Sequence, residues 1–186
     1  MLVVPTRVEL RRRLPRLLPG LALCGVGLGL MVQAGLGLGP WEVLHQGISR
    51  RTGVPIGTVS ILVGVPVLLG WIPLRQRVGV GTLLNVVLIG LTINATIAAT
   101  SEAHATWLRW ACMLGGVALM GVGSGLYIGA GLGAGPRDGL MTGVAGRRGR
   151  SIRSVRTAIE ERMQDILQGR TPGLMGSGIT TLFNQG

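Results

Sequence analysis

The sequence predicts an all-α, polytopic membrane protein built on an inverted repeat. Three observations carry this: apolar runs of membrane-spanning length, arginines gathered on one side of those runs, and a self-similarity at an offset of 96 residues.

The chain has 186 residues, 47% of them hydrophobic and only 13% charged. The charged share is about half that of soluble domains, and apolar runs of about 20 residues then read as transmembrane helices. Four such spans are expected, at about 17–39, 54–73, 78–100 and 107–130, behind a basic N-terminal segment 1–16. The first run is too long for a signal peptide and lacks a small-residue cleavage site, so it reads as an anchor that stays.

A net charge of +11 would suit a nucleic acid, but its distribution has a different origin. If the spans alternate, Arg7, Arg11, Arg12, Arg13, Arg16, Arg75, Arg77, Arg137, Arg147, Arg148, Arg150, Arg153 and Arg156 share one side. Only Arg50, Arg51 and Arg109 lie on the other. Basic residues are retained on the cytoplasmic side, so the N-terminus is expected there. The partner implied is the lipid bilayer, not nucleic acid. All 18 basic residues are arginine, which removes P-loop and Schiff-base chemistry. Trp41, Trp71, Trp107 and Trp110 fall at expected span ends, where indoles meet both headgroup water and lipid.

Shifted by 96 residues, the sequence overlays itself without a gap. Gly20, Gly25, Gly27 and Gly29 fall on Gly116, Gly121, Gly123 and Gly125; Gly35, Gly37, Gly39 and Pro40 fall on Gly131, Gly133, Gly135 and Pro136. Glu42 falls on Asp138, and Gly53 on Gly149. One repeat holds three spans. An odd number turns the next copy over, which gives the inverted arrangement common among secondary transporters.

The stretches GLGPWEVLHQGISRRTGVPIGTVSILVG and GLYIGAGLGAGPRDGLMTGVAGRRGRSIRSVRTAIE resemble the YczE/YyaS/YitT-type bacterial integral membrane proteins. The resemblance covers about residues 15–160 and rests on the paired Gly-Pro-x-acid elements. It implies a polytopic plasma-membrane protein with no established reaction, and full-length members with more spans than these four.

Each Gly-Pro-x-acid element reads as a helix stop followed by a helix start. Proline ends the preceding helix and suits the first position of the next, where an acid in the first turn meets the positive helix end. Residues 41–51 would then lie at the interface or dip back into the membrane. Two readings of Glu42 and Asp138 stand side by side. As helix caps they would point to opposite aqueous faces, exposed and far apart, which is the expected arrangement. As functional groups they would line a polar cavity with Gln33, Asn85 and Asn94 and meet a cation, a proton or a basic group. The in-span polar residues also serve as hydrogen bonds between helices, and Gly25/Gly29 and Gly121/Gly125 have the spacing for close helix contact or a homo-oligomer. Cys24 and Cys112 lie inside spans as packing residues, and His45 and His104 stand apart from them. No metal, no cofactor and no catalytic residue is expected, and no enzyme.

The repeat calls for a fifth span near 151–169, but that stretch carries Arg153, Arg156, Glu160, Glu161, Arg162 and Asp165. Each costs about 2.5–3.5 kcal/mol at a span centre. Residues 151–168 therefore read as a cytoplasmic or interfacial amphipathic helix, and the rest to 186 as loop-like tail. The second repeat reads as incomplete, a short form or a frame-disrupted one. The function expected is transport of a small molecule or ion; the alternative is a membrane scaffold or regulatory protein without transport.

Overall fold

The computed structural model describes residues 2–3, 6–74, 76, 78–149 and 151–167. The chain is an all-α polytopic membrane protein. Its helices are α1 (Arg7–Ala34), α2 (Pro40–Thr52), α3 (Ile56–Leu69), α4 (Trp71–Leu74), α5 (Val80–Ala99), α6 (Thr106–Gly129), α7 (Pro136–Arg148) and α8 (Ile152–Leu167). Two short strands, β1 (Leu2–Val3) and β2 (Val78–Gly79), form a two-residue parallel pairing at one end. The tail beyond 167 lies outside the described residues.

Local chemistry sets the helix ends. Thr6 opens α1 with a capping box: its hydroxyl accepts from the Glu9 amide at 3.4 Å while Glu9 accepts from the Thr6 amide at 3.1 Å. α1 stops at Gly35, whose φ of 58° is left-handed and favours glycine. Proline stands at the first position of both α2 and α7, behind Gly39 and Gly135 in extended conformation.

α1, α5 and α6 pass as membrane-crossing helices among the described residues. The second expected span comes out shorter. α3 has 14 residues, about 21 Å against a hydrocarbon core of about 30 Å, and joins α2 through a 116° bend. It still runs antiparallel to α5, because Gly57 meets Gly90 and Asn94 while Gly64 meets Val86. α1 and α5 are parallel, with Gly25 against Thr92 and Gly29 against Thr96. The four long elements thus alternate in direction.

The central seam is α1 on α6, antiparallel and close. A Cβ placed on Gly27 would lie 2.6 Å from the Gly116 carbonyl oxygen, and one on Gly123 would lie 2.6 Å from that of Gly20. In lipid, where apolar side chains gain nothing by leaving water, such backbone proximity and its dispersion contacts hold helices together. Leu17, Leu21 and Cys24 pack there against Tyr127, Ala130 and Leu132. Leu28, Ile56 and Ile93 form a second cluster nearer the other end.

Contacts recur when each residue is exchanged for its mate 96 positions away. Gly20–Gly123 becomes Gly116–Gly27. The Arg13 guanidinium donates to the Gly131 carbonyl at 3.4 Å, and Arg109 donates to that of Gly35 at 2.6 Å. Backbone conformations recur as well: φ is 58° and 62° at Gly35 and Gly131, and 134° and 129° at Gly37 and Gly133.

Two tryptophans depart from the interfacial expectation. Trp71 is buried, and its indole donates to the Pro136 carbonyl at 3.0 Å. Trp41 lies under the Arg137 guanidinium, 5.3 Å from its ring centroid. Both rings fill space beside α7. Trp107 and Trp110 are exposed.

Candidate functional site

The left-handed glycines decide where α2 and α7 begin. Gly35 and Gly37 turn the chain back after α1, and Gly131 and Gly133 do the same after α6. α1 and α6 are antiparallel, so the two turns lie at opposite ends of the seam. Both following helices start inward of those ends. Arg137, in the first turn of α7, reaches Glu42, in the first turn of α2, and donates to its carboxylate.

This corrects the expectation that Glu42 and Asp138 point to opposite faces. Both line one cavity of about 480 Å³. Cys24 and Leu28 of α1 and Met120 and Ser124 of α6 line it too, which sets it at mid-seam. The fold-back at the positive-φ glycines is the cause: each acid is carried inward from its own end. Each also sits in the first turn of its helix, so the capping position is real; Glu42 is buried, and Asp138 is partly exposed.

Each acid has an arginine. Glu42 is 9% exposed and bridged by Arg137. Asp138 accepts from the Tyr127 hydroxyl at 2.7 Å and faces the Arg156 guanidinium at 3.5 Å. Both acids are paired and both face the cavity.

Asn85 joins the acids in this cavity, from α5. Gln33 and Asn94 do not. They line a separate chamber of about 780 Å³ at the end where α1 stops, with Gln46, Ser49 and Arg50 of α2 and Arg109 of α6. Both are structural ties there. Gln33 donates to the Thr100 carbonyl at 2.7 Å, joining α1 to α5. Asn94 accepts from the Gly57 amide at 2.8 Å and donates to Thr58 at 3.0 Å, filling the open donors at the start of α3. Gln33 is one residue from the end of α1, so no path along the helix brings it to mid-seam.

Among the lining residues that sequence reasoning did not nominate are His45, Tyr127, Arg156 and Glu160. His45 follows Glu42 by three residues on one helix, a spacing that signals a shared face. Arg156 and Glu160 are the 96-residue mates of Ser60 and Gly64, which line the same cavity from α3. Most described side chains of α8 are exposed. The helix packs on α2 and α7, buries Val155 and turns Arg156 and Glu160 to the cavity. Arg156 meets Asp138 and Glu160 faces the cavity, while Arg153, Glu161 and Arg162 are exposed.

A family of unknown function, DUF6198, matches residues 11–163. The chain belongs to this family. It is 44% identical over 144 residues to an uncharacterized protein of Haemophilus influenzae, covering 77% of the chain and 66% of that relative. It is 35% identical over 147 residues to the uncharacterized membrane protein YczE of Bacillus subtilis, covering 76% and 66%. A third relative, the uncharacterized protein YyaS of Bacillus subtilis, is 24% identical over 144 residues, covering 75% and 72%. The chain thus spans 66% of the length of the first two. No solved structure matches.

Proposed function

We propose that this protein carries a small molecule or ion across the bacterial plasma membrane, using two inverted halves related by the 96-residue offset. One observation carries the reading. The N-terminal ends of α2 and α7 converge on a single mid-seam cavity, where a buried Glu42–Arg137 pair and a partly exposed Asp138–Arg156 pair face one space with largely apolar walls. Ionisable groups at that depth are costly to keep and typically mark a substrate or ion path. Broken helices whose ends meet at the midplane are the usual place for such a site.

α2 separates two spaces. Glu42 and His45 face the central cavity, while Gln46, Ser49 and Arg50 face the 780 Å³ chamber. A rotation of this 13-residue helix about the glycines at its ends would join the two. The exchanged contacts Gly20–Gly123 and Gly27–Gly116 support a two-fold relation between the halves. The Gly121/Gly125 face of α6 has open space at each Cβ and suits a second copy of the chain. The reaction class is transport and not catalysis.

Reconstituted into proteoliposomes, the protein is expected to pass at least one probe from a panel of small amines, carboxylates and inorganic ions. Both a pH gradient and a membrane potential are imposed. The double variant Glu42→Gln/Arg137→Gln, which leaves no unpaired carboxylate, is expected to stop that flux at unchanged protein content. Silence for every probe under both gradients would replace transport with the scaffold reading.

The arginine asymmetry sets orientation, N-terminus inside. A cysteine at Glu102 (Glu102→Cys) is expected to react with a membrane-impermeant maleimide in intact cells. Reaction only after lysis would reverse the topology.

A further inference from the structure

The charges around the central cavity do not cancel. Arg137 is matched by Glu42 and Arg156 by Asp138. Glu160, one turn beyond Arg156 on α8, lines the same space and has no ion pair or hydrogen bond among the described residues. Two neutral groups are likewise unspent. His45 is 4% exposed and Asn85 is 9% exposed; both line the cavity, and neither has a hydrogen-bond partner among the described residues. Their polar atoms are not sealed in the packing, since the Trp41 indole nitrogen alone is so placed among the described residues. Buried polar groups left without partners are costly, and open ones facing a cavity are met by what enters it.

The remaining wall is apolar: Val63 and Val67 of α3, Val86 and Ile89 of α5, and Met120 of α6. A volume of about 480 Å³ suits a small molecule and excludes a polymer. We infer that the cavity binds a small organic monocation, an ammonium or amidinium on an apolar body. Its charge sits against Glu160, its N–H groups reach Asn85 and His45, and its body lies along Val86, Ile89 and Met120. A carboxylate would face the unmatched Glu160 and compete with Glu42 for Arg137, so the site discriminates against anions. The ligand's role as cargo rests on the transport reading, while its binding is an equilibrium property that can be measured without flux.

Three probes share one apolar body: benzylamine, benzyl alcohol and benzoate. With the full chain in lipid nanodiscs, calorimetric titration is expected to show benzylamine binding about tenfold or more tighter than the other two. Glu160→Gln is expected to abolish that preference, and Glu160→Asp to keep most of it. Asn85→Ala reads the same site from a different helix and is expected to weaken benzylamine several-fold without restoring benzoate. Equal or tighter benzoate binding overturns the inference, as does benzylamine binding indifferent to both Glu160→Gln and Asn85→Ala in variants that melt like the parent. Charge-selective binding with no flux in proteoliposomes leaves the site standing and removes transport. Flux with no charge preference in binding does the reverse.

Discussion

Arg137→Met is expected to destabilise the protein by about 3 kcal/mol, near the lower end of the range for breaking a buried ion pair. The variant leaves Glu42, which is 9% exposed, as an unpaired carboxylate between helices. The guanidinium is itself about a third exposed, which moderates the loss. It also removes a cation over the Trp41 ring, worth about 0.5–1 kcal/mol. Adding Glu42→Gln to Arg137→Met is expected to recover most of the stability, because the desolvated charge disappears with its partner. Denaturant unfolding in detergent on the two single variants and the double variant measures the coupling. Additive effects, or an Arg137→Met protein as stable as the parent, would show that the two side chains do not meet.

The second large effect lies in the α1–α6 seam. Gly123→Ala places a Cβ 2.6 Å from the Gly20 carbonyl oxygen and 2.8 Å from Cys24 Sγ. Backbone cannot yield as a flexible side chain does, so the helices must part along their length. The expected cost is about 1–3 kcal/mol, and Gly123→Leu is expected to prevent assembly. Gly115→Ala, on the same helix, meets nothing within 4 Å. It is expected to be neutral or to gain up to about 1 kcal/mol of helix propensity. Melting temperatures in one detergent compare the pair directly. Equal losses at both positions would refute the seam.

These expectations divide the molecule into what could be read along the chain and what could not. α1, α5 and α6 were legible because a bilayer demands about 20 apolar residues in succession, and that demand is local. The starts of α2 and α7 were legible because Gly-Pro followed by an acid is a local stop and start signal. The length of α3 was not. Pro66 and Gly70 sit in an apolar run that hydropathy reads straight through, while in the structure α3 ends at Leu69 and Trp71 docks on the Pro136 carbonyl. That α8 turns Arg156 and Glu160 to the cavity was not legible either, because their surroundings come from α2 and α7.

By itself, then, the sequence determined the helical class, the direction of each long helix, the repeat offset and the two acids at helix starts. Hydrophobicity, arginine placement and glycine–proline chemistry act over one or two turns, and they leave their record in consecutive residues. Only the tertiary structure decided that Glu42 and Asp138 share a cavity. It also decided that Gln33 and Asn94 belong to another, and that His45, Arg156 and Glu160 complete the first. The reason is that Gly35, Gly37, Gly131 and Gly133 fold their chains back with positive φ. Glycine permits that sign without requiring it. The choice is made by the antiparallel contact of α1 with α6, which brings residues about a hundred positions apart to one depth.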